Sequence, residues 1–270
     1  MPELPEVETT RRGISPHVID KKINKVITRQ RQLRWPIPRN LNALTKNQKI
    51  KNITRRGKYL LFQTDAGHII LHLGMSGSLR IVANDSIPKK HDHVDFVFSS
   101  QILRFHDPRR FGTILWTCED PLQHKLLLEL GPEPLNEEFN GAHLHTQAKT
   151  RKVNVKNFIM NSYIVVGVGN IYASEALFLS GIHPQRAAGR ISAERYIVLA
   201  ENIKKVLQSA IEMGGTTLRD FVREDGKPGY FANQLNVYNK KGQPCPRCNT
   251  PIQARVLGQR SSFFCKNCQH

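Results

Sequence analysis

Apolar and polar residues alternate with a period of two along much of the chain up to residue 120, as in half-buried β-strands. Turn-forming residues such as Asp65-Ala66-Gly67 separate several of these segments. The predicted strands are Ile23–Thr28, Tyr59–Gln63, His68–Leu73, Leu79–Val82, Val94–Phe98, Ile102–Phe105 and Thr113–Trp116. Because no long helical segment interrupts them, we predict an antiparallel sandwich or barrel.

Two helical segments flank this β-rich part. Pro5–Arg12 is predicted to be a short helix, with Pro5 suited to its first turn, acids at its positive end and Gly13 closing it. Leu122–Leu130 is a second candidate helix, and Gly131–Pro134 is the start of a predicted linker.

From about residue 150 the period becomes helical. The spacing of Leu199, Ile203, Val206, Leu207, Ala210 and Ile211 predicts a helix with one buried face, and Asn170 is predicted to cap a helix that ends at Gly181. We therefore predict an α+β protein with a β-sandwich domain over 1–130, a linker over 131–150, a helical domain over 151–236 and a cysteine-bearing domain over 237–270. We expect a cleft between the β-rich and helical domains.

The charge of the chain indicates a polyanionic partner. It has 40 Lys and Arg against 22 Asp and Glu, a net charge of +18. Self-repulsion makes such an excess costly unless the protein binds a polyanion, most often nucleic acid, then an anionic membrane surface. The bases cluster in two acid-free runs: Lys149, Arg151, Lys152 and Lys156, and seven bases between Gly226 and His270.

No apolar segment approaches the ~18 residues that span a bilayer. The N-terminus opens with acids rather than with a basic and then apolar secretory signal, so we expect a cytoplasmic protein. Disulfides are not expected in that reducing compartment.

Four of the five cysteines form two closely spaced pairs in the last 26 residues. The pairs are Cys245-x2-Cys248 and Cys265-x2-Cys268, the spacing of a four-cysteine site for one structural Zn²⁺. A redox or incidental cysteine set is the alternative, and iron can occupy such thiolates in a recombinant preparation. Arg260 lies between the pairs, where a hairpin tip would present it to phosphate. Cys118, the fifth cysteine, is expected to be a small buried residue.

Two further segments contain candidate chemistry. Gly167-Val168-Gly169-Asn170 opens a predicted helix whose free N–H groups can bind phosphate, although such turns are often purely structural.

At the N-terminus, removal of Met1 would expose the secondary amine of Pro2, and α-amines have a pKa of about 8. This amine can attack a sugar carbon, and the adjacent Glu3 can move protons. Without further information, a stretch that simply precedes a helix is the simpler interpretation.

Five parts of the sequence resemble the bacterial formamidopyrimidine-DNA glycosylases, and they occur in family order from residue 2 to residue 268. They are Met1–Thr9, His72–Gly77, Asp107–Gly112, Val166–Ala173 and the four-cysteine tail. The resemblance implies a bifunctional glycosylase and AP lyase of base-excision repair. Its substrate would be double-stranded DNA containing 8-oxoguanine or formamidopyrimidines.

The resemblance also implies roles for individual residues. Pro2 would attack C1′ of the damaged nucleotide, Glu3 would assist opening of the deoxyribose ring, and Lys58 would contact phosphate at the lesion and aid base removal. Asn170 and Arg260 would hold the phosphates that flank the lesion, and Arg260 is included with the catalytic residues.

Other implied roles concern the flipped base. Met75, Arg109 and Phe111 would fill the space that it leaves, and Arg109 would bond the orphaned cytosine, which favours lesions opposite C over lesions opposite A. Thr216–Tyr230 would close over the everted base, and Val155–Gly181 would contain a helix–two-turn–helix element.

His91, Arg151 and Tyr238 complete the DNA-binding candidates, and neither His91 nor its neighbour His93 has an assigned role. Two alternatives stay open. One is the sister branch that removes oxidised pyrimidines, although Leu4, Arg109 and Phe111 favour the purine branch. The other is a DNA-binding protein without enzymatic activity. We expect a monomer.

Overall fold

A computed structural model of the chain describes residues 1–215 and 231–270, which form two compact units. One unit is built on Met1–Glu129, and the other on Leu130–Glu212 and Phe231–His270. Within the described ranges, no helix combines the length and apolar character needed to cross a membrane. The domain boundaries inferred from the sequence, and the cleft, stay predictions.

The first unit is a β-sandwich preceded by a helix. Its elements are α1 Leu4–Val18, β1 Lys25–Thr28, α2 Leu41–Thr45, β2 Asn52–Arg56, β3 Tyr59–Gln63, β4 His68–His72, β5 Ser78–Val82, β6 Asp92–Val97, β7 Ile102–His106 and β8 Thr113–Thr117. The strands form two antiparallel sheets, in the orders β1-β6-β7-β5 and β2-β3-β4-β8. Buried residues of both sheets, such as Phe62 and Phe105, share one core with Val7 and Ile14 of α1. The sandwich is confirmed, as are the seven predicted strands.

The sequence missed three features of this unit. Helix α1 does not end at Gly13 but continues to Val18, because Ile14 and Val18 are fully buried in the core. Strand β2 escaped prediction because Ile53 is its one buried side chain, and α2 escaped because it is very short.

The predicted helix over Leu122–Leu130 is wrong. A 3₁₀ turn, Pro121–Gln123, ends at His124, whose ψ of 138° is extended. Leu127 is buried, whereas Leu122 and Leu128 are 45% and 57% exposed, so these leucines do not share a buried face. Cys118 is exposed rather than buried, because it follows β8 at the edge of its sheet.

The second unit is helical and ends in a hairpin. Its elements are α3 Gly141–Ala148, α4 Val155–Ile159, α5 Asn170–Leu179, α6 Ala193–Glu212, β9 Gln253–Leu257 and β10 Arg260–Phe264, with 3₁₀ turns at Ala188–Arg190 and Phe231–Gln234. The buried face predicted for α6 is confirmed. Residues 141–148, which lie within the predicted linker, form α3, and this helix packs on α6. The approach is so close that a Cβ at Gly141 would lie 2.5 Å from the Cα of Ile197.

Candidate functional site

The predicted nucleophile and its acid lie at the start of α1. Pro2 and Glu3 are both buried, and Glu3 is the residue that precedes the first helical turn. The carboxylate of Glu6, which is 2% exposed, accepts a hydrogen bond from the backbone N–H of Glu3 at 2.8 Å. This bond satisfies a donor that a helix start otherwise leaves unpaired, and it holds the backbone that carries Pro2.

Lys58 occupies a two-residue turn between β2 and β3, where Arg56 pairs with Tyr59. Gly57 takes a positive φ of 57°, as tight hairpin turns require at their first central position. Arg55 stabilises this turn by donating from Nη1 to the carbonyl of Gly57 at 3.0 Å. Lys58, which is half-buried, therefore lies in a turn that is held by strand pairing and by the Arg55 hydrogen bond.

His72, at the end of β4, is close enough to Lys58 for the lysine charge to affect its pKa. Its ring lies 4.7 Å from that of Tyr59, and its Nδ1 accepts a hydrogen bond from the backbone N–H of Gly74. Burial first, and then the charges of Lys58 and Arg34, lower the pKa of His72 to about 4. At neutral pH His72 is therefore uncharged, with its hydrogen on Nε2, and the positive charge near it comes from Lys58 and Arg34.

The three residues predicted to fill the space of a flipped base come from two adjoining segments. Met75 follows β4, and Arg109 and Phe111 follow β7. A Cβ at Gly74 would lie 2.5 Å from the backbone nitrogen of Gly112, so the two segments touch through their backbones. The Arg109 guanidinium lies 5.0 Å from the ring centroid of Phe111, which is 41% exposed. An exposed aromatic ring with a cation on its face suits insertion between bases.

Two histidines near this loop differ in their surroundings. His93 is buried, and its Nε2 donates to the carbonyl of Asp107 at 2.8 Å, which indicates a structural role. His91 is half-buried, adopts a positive φ of 75° and lies 6.1 Å from the rings of His93 and His106. DNA binding by His91 stays a prediction.

In the second unit, Asn170 is the first residue of α5 and not its cap, which is Gly169. Its side chain is instead used in tertiary bonds. Oδ1 accepts from Lys156 Nζ at 2.6 Å, and Nδ2 donates to the carbonyl of Ser261 at 3.0 Å. Lys156 is 1% exposed and also donates to Ser262 Oγ at 2.7 Å. Lys156 and Asn170 therefore join α4 and α5 to β10.

Arg260 follows the tip of the β9–β10 hairpin and is exposed. Gly258 and Gln259 form the two-residue turn with φ values of 54° and 63°, as in a type I′ hairpin. Because Asn170 bonds the carbonyl of Ser261, the residue after Arg260, Asn170 lies against the strand that begins at Arg260.

Tyr238 belongs to the same neighbourhood, and Arg151 is held elsewhere. The Tyr238 hydroxyl lies 3.5 Å from Asn170 Nδ2, and its backbone N–H donates to the buried carboxylate of Glu175 at 2.8 Å. Arg151 bonds the carbonyl of Gln147, and its guanidinium lies 5.9 Å from the ring of Phe158. No bond in the described residues links Arg151 to Asn170 or to the β9–β10 hairpin.

The predicted metal site is well formed. The four sulfur atoms of Cys245, Cys248, Cys265 and Cys268 all lie within 4.8 Å of one another. Sulfurs about 2.3 Å from a common zinc are about 3.8 Å apart in a tetrahedron. The sulfurs of Cys245 and Cys268 are 3.9 Å apart, and those of Cys248 and Cys265 are 3.5 Å apart, so the thiolates fit Zn²⁺. The protein fills all four positions, which makes the site structural.

Sequence reasoning missed two buried polar residues of the second unit. Lys156 was noted only as part of a basic run, and Glu175 was not noted. Glu175 is 1% exposed and accepts from three consecutive backbone N–H groups, those of Asn236, Val237 and Tyr238. An acid within the apolar sequence of α5 was the available signal. The predicted capping loop, Thr216–Tyr230, lies outside the described residues.

Family comparisons cover most of the chain. Residues 1–114 match the formamidopyrimidine-DNA glycosylase N-terminal domain, 130–222 match the H2TH domain of these glycosylases, and 242–270 match a zinc finger found in FPG and IleRS. A formamidopyrimidine-DNA glycosylase of Syntrophotalea carbinolica is 58% identical over 270 residues, which is 100% of both chains.

Solved structures with bound DNA have the same fold. A MutM protein in complex with carbocyclic 8-oxo-G containing DNA has a TM-score of 0.93 and 34% identity. A Lactococcus lactis FPG mutant in complex with Fapy-dG containing DNA has a TM-score of 0.93 and 32% identity. Each comparison covers 100% of both chains. The helix–two-turn–helix domain and the zinc finger expected from the sequence are thereby confirmed.

Proposed function

The chain belongs to the formamidopyrimidine-DNA glycosylase family, and from this membership we propose that it excises oxidised purines from double-stranded DNA and then cuts the strand by β,δ-elimination. The observation that carries the proposal is the placement of Pro2 and Glu3. Both are buried at the start of α1, and Glu6 holds their backbone. The solved relatives bind DNA that contains 8-oxo-G or Fapy-dG, and we extend those lesions to this chain.

The proposed chemistry begins with the Pro2 amine, freed by removal of Met1. Its nitrogen bonds to C1′ as the glycosidic bond breaks, and the damaged base leaves with a proton. Ring opening with protonation of O4′ then forms a cationic iminium. Glu3 moves the protons, and Lys58 stabilises the phosphate at the lesion.

The iminium makes the later steps possible, because it withdraws electrons from the neighbouring carbons. Proton loss from the sugar expels the 3′ phosphate, and a second proton loss expels the 5′ phosphate. The product is a one-nucleotide gap with phosphate at both ends. Water then releases the sugar fragment from Pro2.

The other candidates are proposed to bind and deform the DNA. Asn170 and Arg260 hold backbone phosphates, with Tyr238 beside them and Arg151 and His91 as further contacts. Met75, Arg109 and Phe111 replace the everted base. The four cysteines would hold Zn²⁺, which when bound would fix the hairpin that carries Arg260. We also propose that the protein acts as a monomer at the nucleoid in the cytoplasm, since the DNA substrate is there.

Borohydride trapping on a duplex with one 8-oxoguanine opposite cytosine tests the proposal, with mass mapping of the adduct. We expect a covalent bond to Pro2, and no bond in a variant that keeps an extra residue ahead of Pro2. A bond to Lys58 would refute the assigned nucleophile. Intact binding without any bond would favour a non-enzymatic DNA-binding protein.

The sister branch that removes oxidised pyrimidines is the second candidate. It is tested by comparing excision of 8-oxoguanine with excision of thymine glycol in the same sequence context. Faster excision of thymine glycol would overturn the purine assignment. Exposed Phe111 with Arg109 on its ring supports the purine branch.

A further inference from the structure

Asp107 is fully buried, yet its carboxylate is not used in the chemistry described above. One oxygen, Oδ1, accepts hydrogen bonds from Ser76 Oγ at 3.1 Å and from the backbone N–H of Arg109 at 3.3 Å. The other, Oδ2, accepts from the backbone N–H of Gly112 at 2.8 Å. Ser76 is the neighbour of Met75, and Arg109 and Gly112 bracket Phe111. A single carboxylate therefore bonds both segments that carry the base-replacing residues.

The backbone of Asp107 is held as firmly as its side chain. Its N–H donates to the carbonyl of His91 at 3.0 Å, and its carbonyl accepts from His93 Nε2 at 2.8 Å and from the N–H of Arg110 at 3.3 Å. Arg110 takes a positive φ of 57°, so the chain turns sharply here. The carboxylate is thus held in one orientation. The groups that donate hydrogen bonds to it are held in place by it.

Two glycines leave the carboxylate room to reach both segments. A Cβ at Gly112 would lie 2.5 Å from Phe105 Cζ and 3.0 Å from Asp107 Oδ2. At Gly74, whose φ is 70°, a Cβ would lie 2.5 Å from the carbonyl carbon of Phe111. The segments after β4 and β7 consequently pack backbone to backbone around Asp107.

We propose that Asp107 is a positioning residue that orders Met75, Arg109 and Phe111 as one preformed wedge before DNA binds. The inference rests on the proposed function, since the wedge has meaning only if a base is everted. Insertion of side chains into a base stack costs less when they are already ordered, because their entropy is lost in folding rather than in binding. A carboxylate suits the task because both of its oxygens only accept hydrogen bonds.

Asp107→Asn tests the proposal with little change of shape, because the amide replaces one acceptor by an NH₂ donor. We expect excision of 8-oxoguanine opposite cytosine to slow by roughly tenfold under single-turnover conditions. The preference for lesions opposite C over lesions opposite A should also decrease, because Arg109 is less well placed. Trapping on an abasic site in a single strand should stay within about twofold, since no base has to be everted there.

Two further variants separate positioning from stability. Ser76→Ala removes only the bond between Asp107 and the segment that carries Met75. We expect excision on the duplex to slow by about threefold, whereas trapping on the single strand should again stay within about twofold. Asp95→Asn is the matched control. Asp95 is also fully buried in this unit, but it bonds Arg29 and Arg104. The Asp95→Asn substitution should lower the urea midpoint of unfolding without changing the preference for lesions opposite C over lesions opposite A.

Equal slowing on duplex and single strand in Asp107→Asn, or no slowing on either, would overturn the inference. Failure of the proposed function would look different, because the unsubstituted protein would then trap on neither substrate.

Discussion

The Oε2 atom of Glu8 lies 3.2 Å from Nε of Arg55, which joins α1 to the strand that leads into the Lys58 turn. Glu8 is 7% exposed and also bonds Arg11 and Arg12 through Oε1, each at 2.8 Å. The helix that begins beside Pro2 and the turn that carries Lys58 are thereby fixed to each other. This ion pair, together with the hydrogen bond from Arg11 to the carbonyl of Ile53, contributes to the relative placement of the proposed nucleophile and the proposed lysine.

Glu8 should make the stability of the protein depend on pH. Burial by itself would raise the pKa of Glu8, but hydrogen bonds from Arg11 and Arg12 and the charges of Arg11 and Arg55 lower it from 4.5 to about 2. A depressed carboxyl pKa adds stability above pH 4.5, and that stability is lost as the pH falls towards 2. After screening by solvent we expect about 2 kcal/mol.

Urea unfolding of Glu8→Gln at pH 7 and pH 3 measures this contribution. The variant should be less stable than the unsubstituted protein at pH 7, and the difference should shrink at pH 3. Glu119→Gln, at an exposed position of the same unit, is the control and should change neither value. A difference that is independent of pH would contradict the ion-pair account.

His72 should destabilise the fold as the pH falls from 6.5 to 4. Its pKa is lowered from 6.5 to about 4, so in this range the unfolded chain binds a proton that the native protein does not. We expect a loss of about 2 kcal/mol across this range. His72→Asn keeps an acceptor for the N–H of Gly74 and should remove that loss, whereas His17→Asn, at an exposed site, should not. NMR titration of His72 near pH 6.5 would refute the assignment.

Glu3→Gln should abolish most activity with the fold intact. The bond between the Glu3 N–H and Glu6 is unaffected, and a glutamine side-chain oxygen can still accept the capping-box hydrogen bond from the Glu6 N–H that the Glu3 carboxylate accepts, so the start of α1 is kept. Loss of general acid–base catalysis should slow excision of 8-oxoguanine by about 10²-fold or more. Single-turnover rates and circular dichroism check the two statements. Unchanged excision would remove Glu3 from the mechanism.

Lys156→Met should weaken DNA binding through Asn170 and not through charge alone. Lys156 Nζ is bonded to Asn170 Oδ1 and Ser262 Oγ, and its loss leaves buried acceptors unpaired, which costs about 1–3 kcal/mol of stability. We expect DNA affinity to fall roughly tenfold at fixed salt. Lys152→Met removes the same charge from an exposed position nearby. Equal weakening in the two variants, measured by fluorescence anisotropy, would show that only net charge matters.

Removal of zinc should weaken DNA binding without unfolding the β-sandwich. Metal binding supplies the folding free energy of small cysteine domains, and β10 carries Ser261 and Ser262, which bond Asn170 and Lys156. A chelator should release one Zn²⁺ per chain and reduce DNA affinity, whereas urea unfolding of the first unit stays unchanged. If affinity survives complete metal release, the hairpin is not held by zinc.

Local pattern was sufficient for much of this protein. The period-two segments predicted seven strands, and the spacing of apolar residues predicted the buried face of α6, because each element buries one side against a core. The cysteine spacing predicted the metal site, since each pair places two thiolates on one short turn. The family motifs predicted which residues to seek at the site, although their roles stay proposals.

Packing between distant segments decided the rest. Nothing near Lys156 in the sequence shows that it is buried against Asn170 and a hairpin about one hundred residues later. The failed helix over Leu122–Leu130 and the exposure of Cys118 have the same origin. The sequence by itself determined the seven predicted strands and the buried face of α6, because these patterns depend on neighbours in the chain, whereas β2, α2 and α3 were not predicted from it. Only the tertiary structure decided which polar side chains are buried, because their partners come from remote segments.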